Sequence, residues 1–288
     1  MSTSTTTQDT SQATEPTGAA PTSSISKAPQ IRVTQARVIH SEWIKFRTVR
    51  STVWTLFTAV FLLIGISALI AAVTMNQWDT MDPDVQATLD PIGAATSGST
   101  FAQLALSVLA VLMITGEYTT GMIRASLTVV PRRLPVFWAK LIVFSVVTFV
   151  VSLVSSFVAF FLTQAILSAK DFGASISDEH ALRAVFGLAL YLTVAGVISM
   201  AIGALLRSTA PAIFTMVAVF LVIPPVLSLL PASVSEDILK YLPNYAGSAM
   251  FTVGAENSLS PGGGLLVFCL YAVVLIAAAA WRMRKADV

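Results

Sequence analysis

The sequence predicts an all-α membrane protein with six transmembrane helices, both termini in the cytoplasm and an amphipathic interfacial helix before the first span. Composition is the first reason, because 55% of the 288 residues are hydrophobic, only 11% are charged and the mean hydropathy is +0.79. Ordinary soluble domains carry about 25% charged residues, and a bilayer is the natural solvent for this chain. Six apolar windows and the placement of Lys and Arg are the other two reasons.

The first fifty residues contain a polar tail followed by an amphipathic segment. Residues 1–30 are mostly Ser, Thr, Ala, Gln and Pro, with no apolar run long enough for a signal peptide, and they predict a disordered cytoplasmic tail. In residues 31–50, Ile39, Trp43 and Phe46 share one helical face with Val53. An interfacial helix is therefore expected there, and Glu42 is expected to pair with Lys45. The residues assigned to this helix are Glu42, Trp43, Lys45, Arg47 and Arg50. The open alternative is a basic anchor that only orients the first span.

Six windows are long enough to cross the hydrocarbon core, which takes about 20 apolar residues. They lie at 53–74, 97–115, 136–164, 184–206, 210–230 and 263–281, within a membrane domain of residues 51–285. Gly196 and Gly203, seven residues apart in the fourth span, predict a close helix contact. Pro224 and Pro225 predict a kink or break in the fifth span.

The distribution of positive charge predicts the orientation. With the N-terminus inside, all but three of the 17 Lys and Arg residues fall in cytoplasmic segments, and the exceptions are Lys170, Arg183 and Lys240. Acidic residues are distributed the other way, and the loop containing Asp79 has four Asp residues without Lys or Arg. Six spans then return the C-terminus to the cytoplasm.

Several function classes are disfavoured by the residues that the spans lack. No Asp, Glu, His or Arg lies in the middle of a span, which disfavours a proton relay, a voltage sensor and an intramembrane hydrolase. No Walker-type phosphate loop occurs, since none of the lysines follows a glycine. Two histidines exclude a multi-histidine metal site, and a net charge of +2 gives no indication of nucleic-acid binding. The chain is therefore predicted not to be an enzyme, with no catalytic, cofactor-binding or metal-binding residue of its own.

The segment 116–133 between the second and third spans is longer than a simple connection requires. Ile123, Leu127 and Val130 follow helical spacing and Pro131-Arg132-Arg133 ends the run. A short helix across the cytoplasmic face is one interpretation, and an interfacial loop carrying positive charges is the other.

Two stretches resemble the permease subunits of bacterial type-2 ATP-binding-cassette exporters, especially actinobacterial ones. Residues 41–52 read SEWIKFRTVRST and resemble the segment before the first span of that family. The loop after the second span is similar at Gly116, Glu117, Tyr118, Gly121, Ile123, Arg124, Leu127, Pro131, Arg132 and Arg133. The similarity covers roughly residues 37–285, including the number of spans.

The resemblance implies a mechanism and partners. Two permease chains, identical or different, would form the translocation pathway in the bacterial cytoplasmic membrane, in contact with its lipids, and each would bind a separate ATPase that holds the ATP and Mg²⁺. The segment 116–133 would be the coupling helix, and residues 231–262 would re-enter the membrane from outside, with a folded outer loop as the alternative. The coupling residues that the resemblance implies are Glu117, Tyr118, Gly121, Arg124, Arg132 and Arg133. The competing function is a non-transporting membrane scaffold or sensor protein.

Small polar residues in the second and third spans are candidates for lining the pathway. They are Gln103, Ser107, Ser152 and Ser156. Gln103 is the strongest of them because its amide needs partners within the bilayer. Helix packing is the alternative role for all four.

Overall fold

The computed structural model describes residues 34–119, 133–254 and 258–285, and every regular element in those ranges is helical. The tail predicted at 1–30 lies outside these residues. Six described segments are long and apolar enough to span a membrane, so the predicted number of spans is confirmed. They are Arg50–Thr80, Pro91–Tyr118, Leu134–Lys170, Ala181–Leu206, Thr209–Leu227 and Pro261–Lys285.

The described helices run in a simple order along the chain. In that order they are α1 (Gln35–Thr48), α2 (Arg50–Gln77), α3 (Pro83–Thr88), α4 (Pro91–Thr96), α5 (Ser99–Thr119), α6 (Arg133–Leu167), α7 (Ala181–Leu206), α8 (Thr209–Val217), α9 (Ile223–Leu227), α10 (Ala232–Leu239), α11 (Pro243–Ser248) and α12 (Pro261–Lys285). A single extended residue, Val49, separates α1 from α2. Helix α5 continues to Thr119, so the first residues of the segment 116–133 form its last turn.

Helix α7 is the centre of the bundle. In its most apolar stretch 83% of the residues are buried, against 22% in α2 and in α12. Close packing depends on glycine, because a Cβ on Gly196 would lie 2.6 Å from the Phe144 ring and one on Gly203 would lie 2.7 Å from the Ile114 side chain. The close contact predicted for these two glycines is confirmed, and it fixes α7 against α5 and α6.

Helix α2 packs against the end of α4 and the turn between α4 and α5 through a buried hydroxyl and a glycine. The Ser67 hydroxyl donates to the carbonyl oxygen of Ala95 and accepts from the N–H of Gly98, both at 3.0 Å. A Cβ on Gly98 would lie 2.3 Å from the carbonyl oxygen of Leu63. The backbones therefore touch at this point, and only glycine fits.

We expect Gly98→Ala to destabilise the chain by about 1–3 kcal/mol, because the added methyl group collides with rigid helix backbone. The thermal unfolding of the purified chain in detergent measures this effect. Gly262→Ala is the matched control, since a Cβ at Gly262 meets nothing within 4 Å. Equal unfolding midpoints for the two variants would contradict the close approach of α2 and the turn between α4 and α5.

The fifth span departs from regular α-helix just before the two prolines at which the sequence predicts a kink or break. Helix α8 gives way to a π-helical stretch at Ala218–Val222, and α9 follows with Pro224 and Pro225 in its first turns. Proline has no N–H to donate to the preceding turn, and a π turn is one way in which a helix accommodates that loss.

The segment after the fifth span inserts α11 between two long helices. A Cβ on Gly247 of α11 would lie 2.6 Å from the Tyr191 ring of α7 and 2.9 Å from the Phe268 ring of α12. Tyr191 lies ten residues into α7, about 15 Å along its axis from the end at Ala181. Helix α11 is thus packed well inside the bundle.

Candidate functional site

Four charged side chains meet where α1, the last turn of α5 and the start of α6 come together. Lys140 Nζ lies 2.6 Å from Glu42 Oε2 and 2.8 Å from Glu117 Oε1. Lys45 Nζ lies 2.7 Å from Glu42 Oε1 and 3.3 Å from Glu117 Oε1. Each carboxylate therefore contacts both ammonium groups. These residues (Glu42, Lys45, Glu117 and Lys140) are called the four-charge cluster below.

The cluster is largely withdrawn from solvent. The side chains of Glu42 and Lys140 are 2% and 4% exposed, that of Glu117 is 13% exposed, and only Lys45 reaches the surface at 40%. Two negative and two positive charges leave no net charge. This balance is what allows the four ions to be buried. Removing one partner of a buried ion pair typically lowers the stability of the fold by about 3–5 kcal/mol, because the other charge is left uncompensated.

The pKa values of the two α1 residues reflect this balance. Burial alone would raise the pKa of the Glu42 carboxyl, but the Lys140 and Lys45 ammonium groups outweigh it and hold that pKa below its ordinary 4.5. Burial would lower the pKa of Lys45, whereas its hydrogen bond to Glu42 and the charges of Glu42 and Glu117 raise it above 10.5. Both groups are therefore charged over the whole range between these values.

The pH dependence of stability follows from these directions. The stabilisation from Glu42 is complete above pH 4.5 and is lost as the pH falls through its lowered pKa. The stabilisation from Lys45 is complete below pH 10.5 and is lost as the pH rises through its raised pKa. We expect the difference in unfolding midpoint between the wild type and Glu42→Gln to be constant near neutral pH and to shrink in acid. A difference that changes around neutral pH would contradict the lowered pKa of Glu42.

The face of α1 that packs against the bundle contains a charged residue. Val38, Glu42 and Phe46 form this face at intervals of four, whereas Trp43 is exposed. Glu42 can be buried there because Lys140 neutralises its charge. The membrane-facing apolar face expected from Ile39, Trp43 and Phe46 stays a prediction. The predicted pairing of Glu42 with Lys45 is confirmed.

The other residues of the predicted interfacial helix lie on the surface. Trp43, Arg47 and Arg50 are exposed, as is Ile44 beside Trp43. Contact of these side chains with lipid stays a prediction.

A cavity of about 460 Å³ opens beside the four-charge cluster. All four charged residues line one part of it. The rest is lined by Phe46, Val49, Ser51, Thr52, Thr55, Leu109, Leu112, Met113 and Gly116. Its wall is thus charged at one end and mainly apolar at the other.

Of the predicted coupling residues, the structure describes the side chains of Glu117 and Tyr118. Glu117 belongs to the four-charge cluster, and the Tyr118 ring lies 5.8 Å from the guanidinium carbon of Arg207, at the end of α7. Gly121, Arg124 and Arg132 lie outside the described residues, and Arg133 is described only as the first residue of α6. A coupling role for these residues stays a prediction.

The candidate pathway residues lie in helix contacts within the chain. Gln103, Ser107, Ser152 and Ser156 are at most 3% exposed. The Tyr191 hydroxyl lies 2.7 Å from Gln103 Oε1 and 2.7 Å from Asn244 Oδ1 of α11. The Tyr191 hydroxyl donates its one proton to one of these amide oxygens. The other amide can rotate so that its NH2 group donates to the hydroxyl oxygen. Gln103 thus has a buried partner for one end of its amide, and a pathway role for the four residues stays a prediction.

We expect Tyr191→Phe to destabilise the chain by about 1–3 kcal/mol, because two buried amides lose a shared hydrogen-bond partner. Thermal unfolding of the purified chain provides the measurement. Tyr245→Phe, at an exposed tyrosine of α11, is the control and should change stability by less than about 0.5 kcal/mol. A neutral Tyr191→Phe would mean that the hydroxyl does not connect α5, α7 and α11.

Sequence reasoning missed Lys140, Tyr191 and Asn244. Lys140 did carry a signal, since it is the one charge near the start of an otherwise apolar third span, and Glu42 is an acidic residue close to an apolar arc. Two charges of opposite sign, each beside apolar residues, indicate an ion pair between them. Tyr191 and Asn244 carry no comparable signal.

One comparison with known protein families gives a match. Residues 38–225, well over half of the chain, match the family model described as ABC-2 family transporter protein. A search of curated proteins found no match. The matched region includes most of α1, the four-charge cluster, the first four spans and all but the last two residues of the fifth.

Proposed function

This chain belongs to the ABC-2 family of transporter proteins and is a multi-pass membrane permease, and we propose that it forms the translocation pathway of an exporter as one of two paired permease chains. A separate ATPase subunit supplies the energy and binds the ATP and Mg²⁺. The complex lies in the bacterial cytoplasmic membrane, with both termini of this chain inside.

The observation that carries the proposal is the four-charge cluster. It joins α1 to the last turn of α5 and to the start of α6, which are the two helices that flank the segment 116–133. A displacement of that segment by an ATPase would therefore move α1, α5 and α6 together. Such rigid-body movement is a common way in which membrane and soluble proteins switch between states.

The contacts within the cluster also suggest different roles for Glu117 and for the arginines among the predicted coupling residues. Both ion pairs of Glu117 run to lysines of this chain, so its proposed role is to hold the segment 116–133 to the bundle. Arg124, Arg132 and Arg133 are then the proposed contacts with the ATPase. Their positive charge would complement an acidic groove on that partner.

The depth of α11 supports a re-entrant segment at residues 231–262. Irregular backbone within a membrane is tolerated only where other protein buries it. Helix α11 satisfies this condition, since it packs against α7 and α12 and Asn244 reaches Tyr191. The described part of the segment can therefore close the pathway from the predicted outer side.

The experiment that tests the proposal is co-purification followed by an assay of ATP hydrolysis. The tagged chain is co-expressed with the ATPase subunit encoded beside it, purified in detergent and reconstituted into vesicles. We expect the ATPase to co-purify and its hydrolysis to be faster with the permease present than without it. Purification of the chain without any ATPase would instead support the scaffold or sensor alternative.

A further inference from the structure

We infer that the cavity between α1, α2 and α5 binds the head group of a zwitterionic phospholipid that carries a primary ammonium, of the phosphatidylethanolamine class. Its volume of about 460 Å³ falls within the range of about 300–1,000 Å³ that small-molecule sites occupy. The lining changes from charged to apolar along α5, from Glu117 to Leu109, over about 12 Å. A lipid has the same gradient from its head group to its acyl chains.

The rim of the cavity allows an acyl chain to enter from the side. Leu112 of α5 and Val49 between α1 and α2 line the cavity and are 41% and 45% exposed. Val49 lies directly before the first span, and Leu112 lies within the second span near its end, so the cavity opens at the side of the span region. A chain attached to a bound head group can therefore pass over these residues into the bilayer.

The charges of the wall specify the head group. The four-charge cluster carries no net charge, so a head group with a net charge would leave that charge unbalanced in a poorly solvated site. A head group with one phosphate and one ammonium adds none. The cluster thus favours a zwitterion over an anionic lipid.

Two atoms of the cluster, Lys45 Nζ and Glu117 Oε2, can each form a further hydrogen bond to the phosphate or the ammonium. Lys45 donates two of its three ammonium protons to Glu42 and Glu117 and is partly exposed, so the third can serve a phosphate oxygen. Among the described residues, both ion pairs of Glu117 use Oε1, so Oε2 can accept from a primary ammonium. A quaternary choline has no N–H to donate and should bind less well.

The test is native mass spectrometry of the purified full-length chain, offered phosphatidylethanolamine, phosphatidylcholine or phosphatidylglycerol at equal concentrations. We expect phosphatidylethanolamine to be retained best. Leu112→Trp fills the cavity and should weaken its retention about tenfold, a change of about 1.4 kcal/mol. Leu162→Trp is the matched control, since Leu162 is 42% exposed but lies on α6 away from the cavity.

Thermal unfolding establishes that each variant is folded, and Leu112→Phe replaces Leu112→Trp if the tryptophan lowers the midpoint. Equal retention of phosphatidylethanolamine by the wild type and a folded Leu112 variant would overturn the inference, as would equal retention of phosphatidylglycerol. The measurement needs no ATPase. Its failure would therefore leave the proposed transport function untouched, and a failure of that function would leave the lipid site standing.

Discussion

Replacing Lys140 by methionine is expected to destabilise the chain by about 3–5 kcal/mol, because two buried carboxylates would share one remaining ammonium. Glu42 would keep only Lys45, and Glu117 would keep only the longer of its two ion pairs. Chemical or thermal unfolding of the purified chain in detergent measures the effect. An unchanged unfolding midpoint for Lys140→Met would show that the four-charge cluster does not hold α1, α5 and α6 together.

Two further variants separate the loss of the ion pairs from the loss of a lysine. Lys170→Met removes a lysine whose partner, Asp79, is 76% exposed, so it should cost less than about 1 kcal/mol. The double variant Glu42→Gln with Lys140→Met removes one charge of each sign. Its loss of stability should be smaller than the sum of the losses in the two single variants. Additive effects would mean that Glu42 and Lys140 do not interact.

Reversing the charge of Arg124 is expected to weaken co-purification of the ATPase more than about tenfold, while leaving the stability of the permease unchanged. The physical reason is the proposed contact of the segment 116–133 with an acidic groove, where like charges placed together repel. The amount of ATPase retained on the tagged chain, relative to the wild type, is the measurement. Arg124→Glu is a sharper probe than a change at Glu117, which would also disrupt the four-charge cluster.

Arg284→Glu is the matched control for Arg124→Glu. It makes the same charge reversal at an exposed arginine near the C-terminal end of α12, on the same predicted side of the membrane. Retention of the ATPase should match that of the wild type. Equal losses for the two variants would indicate a general charge effect and would contradict a specific contact at Arg124.

The fold was predictable from sequence because the bilayer imposes a length on each span. The number of spans, the π-helical stretch before Pro224 and the close contacts of Gly196 and Gly203 all depend on short stretches of chain. A window of about 20 apolar residues predicts a span, and a glycine pair predicts a helix contact, without knowledge of distant residues.

The candidate site was only partly predictable, because its contacts join distant residues. Glu42 and Lys45 are one helical turn apart, so their pairing follows from spacing. Glu42 and Lys140 are 98 positions apart, and Tyr191 and Gln103 are 88 apart. No periodic pattern encodes these partners, since they depend on how α1 and α7 pack against the bundle. The burial of Glu42 could not be predicted for the same reason, because it depends on the distant Lys140 that neutralises its charge.

A cross-linking measurement on residues 116–133 tests whether an ATPase drives this permease from its cytoplasmic side through that segment. In a Cys269→Ala background, Ser126→Cys is treated with a maleimide–succinimidyl ester cross-linker in inverted membrane vesicles that contain the ATPase. This reagent joins the cysteine thiol to a lysine amine within its reach. Glu179→Cys, at a residue that is 88% exposed in the predicted outer loop, is the control. We predict that the cysteine at position 126 cross-links to the ATPase and that the one at position 179 does not. Labelling of position 126 only from the outer side of intact cells would mean that no cytoplasmic ATPase can contact this segment.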